Sequence, residues 1–142
     1  MLRSETPRLA AGMLVLAVAA AVTTPASAQL SEQTFRGGRT SDLAALCSAS
    51  DTDLAGTAAR AWCQGFIVAT AQYHNSVAEA DPTRGRLYCV PDPNITLDQI
   101  RASFVNWARS HPEHAGTRAV DGLVRFASAT WPCPVSSSRV RR

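Results

Sequence analysis

Four cysteines and three histidines carry most of the reactive chemistry in this chain. Cys47, Cys63, Cys89 and Cys133 form an even set with long gaps between them. Zinc sites draw on C-x-x-C or mixed cysteine–histidine spacing, and none of these gaps supplies it. Four thiols that can all pair leave none over as a nucleophile, so two disulfides are expected. His111 and His114 flank Pro112-Glu113, while His74 stands far away in the sequence. Two loop histidines lack a third metal ligand, so all three are read as loop or surface groups and no metal is expected. No Gly-x-Ser-x-Gly occurs. The carboxylates Asp92, Asp98, Glu113 and Asp121 fall at helix starts or in loops, where caps and solvated charges are usual. The expectation is a protein without catalysis and without a cofactor.

The compartment follows from the first residues. Arg3 and Arg8 precede an apolar run at 9–22, and Ala26-Ser27-Ala28 then matches a small-residue cleavage site. Residues 1–28 therefore read as a signal peptide, too short in its apolar run for a good membrane anchor. Its removal from 142 residues leaves 114, one small exported domain. That mature part has 12 arginines, no lysine and 10 acids, with Arg139, Arg141 and Arg142 in the tail. Between residues 40 and 133 there are 7 arginines and 9 acids, so the folded part is slightly acidic and lacks the basic face of a nucleic-acid binder.

The elements that must position these residues read as helices. Residues 29–39, with Gly37-Gly38, form a flexible lead-in. Thr40 to Cys47 suits a short helix, with Leu43 and Leu46 three apart. Residues 52–80 form a long helix around which the rest is expected to pack. Its apolar face is read at Leu54, Ala58, Ala61, Trp62, Phe66, Ala69, Tyr73 and Val77. Gly65, costly in a helix, is read as a mark of close helix packing. Two of the three tryptophans are read as core. Residues 80–94, with Pro82, Pro91 and Pro93, make a loop pinned by Cys89. Thr96-Leu97-Asp98-Gln99 is a capping box that opens another helix, and Pro112 ends it. A last helix runs from 116 or 117 to 130, and residues 135–142 form a basic, disordered tail. The class is all-α: one long helix, one short N-terminal helix and two C-terminal helices, with a domain at 40–134.

The link between the last two helices is short, which makes them antiparallel. The start of one, near Cys89, then lies beside the end of the other, near Cys133. That favours Cys89–Cys133 and leaves Cys47–Cys63, although four cysteines allow three pairings.

The order of motifs is familiar. A leader precedes Leu43-x-x-Leu46-Cys47; then come Cys63-x-x-Phe66, Cys89-Val90-Pro91, His111-Pro112-Glu113 and Trp131-Pro132-Cys133-Pro134. The set resembles the Rap/Tai-type immunity proteins, which protect bacteria against cell-wall amidases injected by type VI secretion. Phe66 stands where that pattern usually has tyrosine. The resemblance implies a small periplasmic helical protein with two disulfides, often a dimer, that binds a cell-wall amidase effector and plugs its cleft without being an enzyme. The loop Ser110-His111-Pro112-Glu113-His114-Ala115-Gly116 is the candidate for the inserted element, with Ser110, His111, Glu113 and His114 as its polar contacts. The competing view is that His-Pro-Glu only stops one helix and caps the next. A different class also fits the leader and disulfides, a small periplasmic acid-stress chaperone of the HdeA kind.

Overall fold

Side chains choose where most of the helices begin. Ser31 accepts from the Thr34 amide and opens α1, Glu32–Phe35. This single helical turn lies in the stretch read from sequence as a lead-in. The next helix, α2, is Thr40–Ser48, and Asp42 in its first turn accepts the Arg39 N–H at 3.0 Å. Asp53 accepts from the Gly56 amide at 2.7 Å and opens α3, Leu54–Ala80. Thr96 and Gln99 make the expected capping box for α4, Leu97–Ser110. A 3-10 turn at Pro112–His114 leads to α5, Ala119–Thr130. The structure, a computed structural model, describes residues 30–91 and 94–134; the leader at 1–28, the tail at 135–142, Asp92 and Pro93 lie outside them.

The all-α class and both disulfides are as expected. Cys47–Cys63 and Cys89–Cys133 have Cα separations of 5.1 and 4.8 Å. The Cys89 amide also donates to the Trp131 carbonyl at 2.9 Å, so the approach to α4 lies beside the end of α5, as antiparallel helices require. Among the described residues the extended structure is limited to one bridge between Arg39 and Arg118.

Three expectations about the core need correction. The element at the centre is α2, not the long helix. It packs against α1, α3, α4 and α5, and Leu43, Leu46 and Cys47 are fully buried on it. The buried stripe of α3 is also not the one read from sequence. Gly56, Ala59, Cys63, Ile67 and His74 face inward, whereas Leu54 is 86 % and Tyr73 73 % exposed. The disulfide turns Cys63 towards α2, and the stripe that follows Cys63 is about 100° from the predicted one. Length is the second cause. A helix of 27 residues spans about 40 Å, and neighbours of 9 and 14 residues cannot cover it. Trp62, Trp107 and Trp131 are all half-buried packing on the core edge, not core residues.

The glycines show the same difference. Gly65 faces open space, contrary to the close packing expected of it. The close approach is at Gly122 on α5, where a Cβ would lie 2.1 Å from Thr40 Oγ1. Replacing Gly65 with Ala should therefore raise stability by about 0.5–1 kcal/mol through helix propensity. Replacing Gly122 with Ala should lower it by about 1–3 kcal/mol through overpacking. Urea titration of the two variants checks the opposite signs.

An ion network joins α3 to α4. Arg60 reaches Asp98 at 2.9 Å and also pairs with Asp51; Arg101 reaches Asp98 at 3.3 Å and donates to the Cys47 carbonyl. The hydrogen bond from Arg60 is the main cause that holds the Asp98 carboxyl below the usual range. A carboxylate whose folded value is depressed stabilises the fold above its unfolded value, near pH 4, and that gain is lost as pH falls further. Asp98→Asn should make the acid limb of stability against pH shallower below about pH 4, measured by denaturant midpoints from pH 2 to 7.

Candidate functional site

The loop at 110–116 owes its shape to the proline in it. Pro112 cannot continue α4, and His111 leaves the helical region with φ −127° and ψ 61°. Pro112 then starts the 3-10 turn, closed by the Ala115 amide on the Pro112 carbonyl at 3.0 Å. Trp107, His111 and His114 follow at steps of four and three and stack together. The indole lies 4.6 Å from the His111 ring and 5.5 Å from the His114 ring, both near parallel. His111 Nδ1 is 2.8 Å from the Trp107 carbonyl. A carbonyl only accepts, so Nδ1 donates and Nε2 is left free to meet a partner. His114 Nε2 lies 3.8 Å from Glu113 Oε1.

The far arm of the loop is held by α2. The first amides of a helix have no partner inside it. Here the Thr40 amide donates to the Thr117 carbonyl at 2.8 Å and the Ser41 amide to the Ala115 carbonyl at 3.0 Å. Thr40 Oγ1, fully buried, lies 2.9 Å from Thr117 Oγ1 and 3.2 Å from the carbonyls of Thr117 and Arg118. This contact takes up residues 117 and 118, which is why α5 begins at Ala119 and not at 116 or 117. Glu113 and Pro112 are exposed at the tip, and His111 and His114 are half-buried behind them.

Of the polar loop residues read from sequence, His111 and His114 come together on Trp107, and Glu113 stands beside His114. Ser110 does not join them; its hydroxyl donates to the Asn106 carbonyl of its own helix at 3.1 Å. The part played by Trp107 was missed, though its spacing from both histidines was there to find it. His74, read as a surface group, is only 9 % exposed. It lines a groove of about 370 Å³ between α3 and α5, with Tyr73, Val77, Leu87 and Val120 among its walls.

Among the described residues no three histidines, cysteines or acids gather to hold a metal ion, and every cysteine is in a disulfide. The fold and the loop define a disulfide-bonded helical scaffold that presents a short, braced loop. The model of the Rap1a immunity proteins matches residues 39–133, and the chain belongs to that family. No curated protein and no solved structure matches it. Family membership makes the chain a non-enzymatic immunity protein against a type VI effector. No helix among the described residues is long and apolar enough to cross a membrane, and the two disulfides suit an oxidising compartment outside the cytoplasm.

Thr40→Val keeps the shape at the clamp and removes its hydroxyl. It should cost about 1–2 kcal/mol and raise amide exchange at 115–118 above that of mid-α4. Denaturant unfolding and exchange mass spectrometry measure the two effects.

Proposed function

We propose that this protein binds a peptidoglycan amidase effector in the periplasm, one to one, and blocks its cleft with the loop at 110–116. Export by the leader at 1–28 brings it to that compartment. The observation that carries the proposal is the brace under the loop. Trp107 stacks on both histidines from one side, and the start of α2 holds the backbone on the other. A loop already ordered before binding loses little entropy on meeting its partner. Ser110, His111, Glu113 and His114 are the proposed polar contacts, and no chemistry is asked of them. We also propose that the protein acts as a homodimer, which the exposed apolar walls of the α3–α5 groove support.

Titration of a secreted amidase with the mature protein tests this. Peptidoglycan hydrolysis should fall to zero near equimolar protein, and light scattering of the complex should give two copies of each chain. The triple change His111→Ala, Glu113→Ala, His114→Ala should weaken inhibition tenfold or more with helical circular dichroism unchanged, a loss of about 1.4 kcal/mol. Full inhibition by that variant would remove the loop from the proposal. Failure of any secreted amidase to bind would remove the function itself.

A further inference from the structure

The three histidines stand in two different settings. Protonating His111 costs no hydrogen bond, because its Nδ1 already donates and its Nε2 is free. His74 is the opposite case. The Leu87 amide donates to His74 Nε2 at 2.9 Å. A backbone N–H can only donate, so Nε2 holds a lone pair, and the ring is neutral with its proton on Nδ1. That Nδ1 is buried and has no partner. The ring also stacks on Tyr88, with centroids 4.1 Å apart and planes 14° from parallel.

Leu87 and Tyr88 belong to the segment that joins α3 to α4. Besides the burial of Tyr88 in the core, where it lines a small cavity with Ile67 and Ala71, few other groups tie this segment to α3. Arg86 donates to Asn75 at 2.8 Å, and Cys89 fixes the far end to Cys133. The charges around the ring offer an imidazolium no help. Arg84 lines the same groove, and Arg86 is engaged one residue along the helix from His74. Asp81 is held by Thr83 and Arg84. Helix α5 presents Val120 and Val124, and its Asp121 is taken by Arg118. A proton on Nε2 would face the Leu87 N–H head-on and leave both ring nitrogens as buried donors without acceptors.

We propose that His74 is a pH-sensitive latch: the neutral ring holds the stretch around Leu87 and Tyr88 against α3, and protonation releases it. Release withdraws one wall of the α3–α5 groove, since Leu87 and Gly85 line it. Cys89–Cys133 limits the movement to this segment and leaves α2, α4 and α5 in place. The latch stands apart from the loop at 110–116 and does not depend on which effector is bound.

Hydrogen exchange of the whole mature protein with its disulfides intact tests the latch. Between pH 7.5 and 5, which brackets the ordinary histidine range, peptides over 84–88 should lose protection tenfold or more after correction for intrinsic rates. Peptides from α4 and α5 should not. His74→Gln supplies an acceptor for the Leu87 amide that does not titrate, so its protection should be equal at both pH values. Nitrogen NMR of the unmodified protein is a second measurement that needs no variant. It should show the Nδ1–H form of His74 at neutral pH and a Leu87 amide shift that follows the ring on acidification. Unchanged protection in the unmodified protein, equal loss in the Gln variant, or an Nε2–H ring at neutral pH would each overturn the latch.

Discussion

A nine-residue helix is too short to hold itself together in water, and the fold is arranged around lending one its missing partners. The first amides of α2 donate to the carbonyls of Thr117 and Ala115, and the Thr40 hydroxyl reaches the same backbone. Gly122 leaves room for that hydroxyl, and any side chain there would fill the space. At its other end Cys47 is bonded to α3, and Arg101 of α4 caps the Cys47 carbonyl. The short helix thus ties three others together, and they in turn bury Leu43 and Leu46 completely. The loop at 110–116 inherits its rigidity from this arrangement, because the groups that complete α2 are the groups that fix the loop.

What was legible in the sequence was local. The capping box at Thr96 and Gln99 concerns four consecutive residues, and it is present as read. The stop at Pro112 follows from one ring without an N–H. The disulfide pairing needed a single long-range argument, the antiparallel run of α4 and α5, and that argument holds. The inward face of α3 was not legible for a physical reason. The helix is rich in alanine and apolar on more than one side, so periodicity alone admits two stripes about 100° apart. Only the bond from Cys63 to α2 selects between them. Gly65 and Gly122 look alike in the sequence, and only the neighbour across the gap tells an open position from a crowded one.

The same division applies to the site. Trp107, His111 and His114 share one face by their spacing, so the stack could be read from the chain. The hold of α2 on Ala115 and Thr117 joins residues more than seventy positions apart and has no local signal. His74 shows this most clearly. Its neighbours in sequence are those of a surface histidine, yet the ring is buried, and a backbone amide thirteen residues away sets its tautomer.

The two disulfides close separate rings along the chain, and the second encloses 89–133 with the whole loop inside it. Suppose a protease cut the exposed tip at Glu113. The chain would become two pieces, but neither could leave. Cys89 and Cys133 would keep α4 covalently joined to α5, and Thr40 would still hold the far arm. Such a nicked molecule would run as two fragments only after reduction. The protein can therefore lose a peptide bond at this exposed tip without losing half its fold.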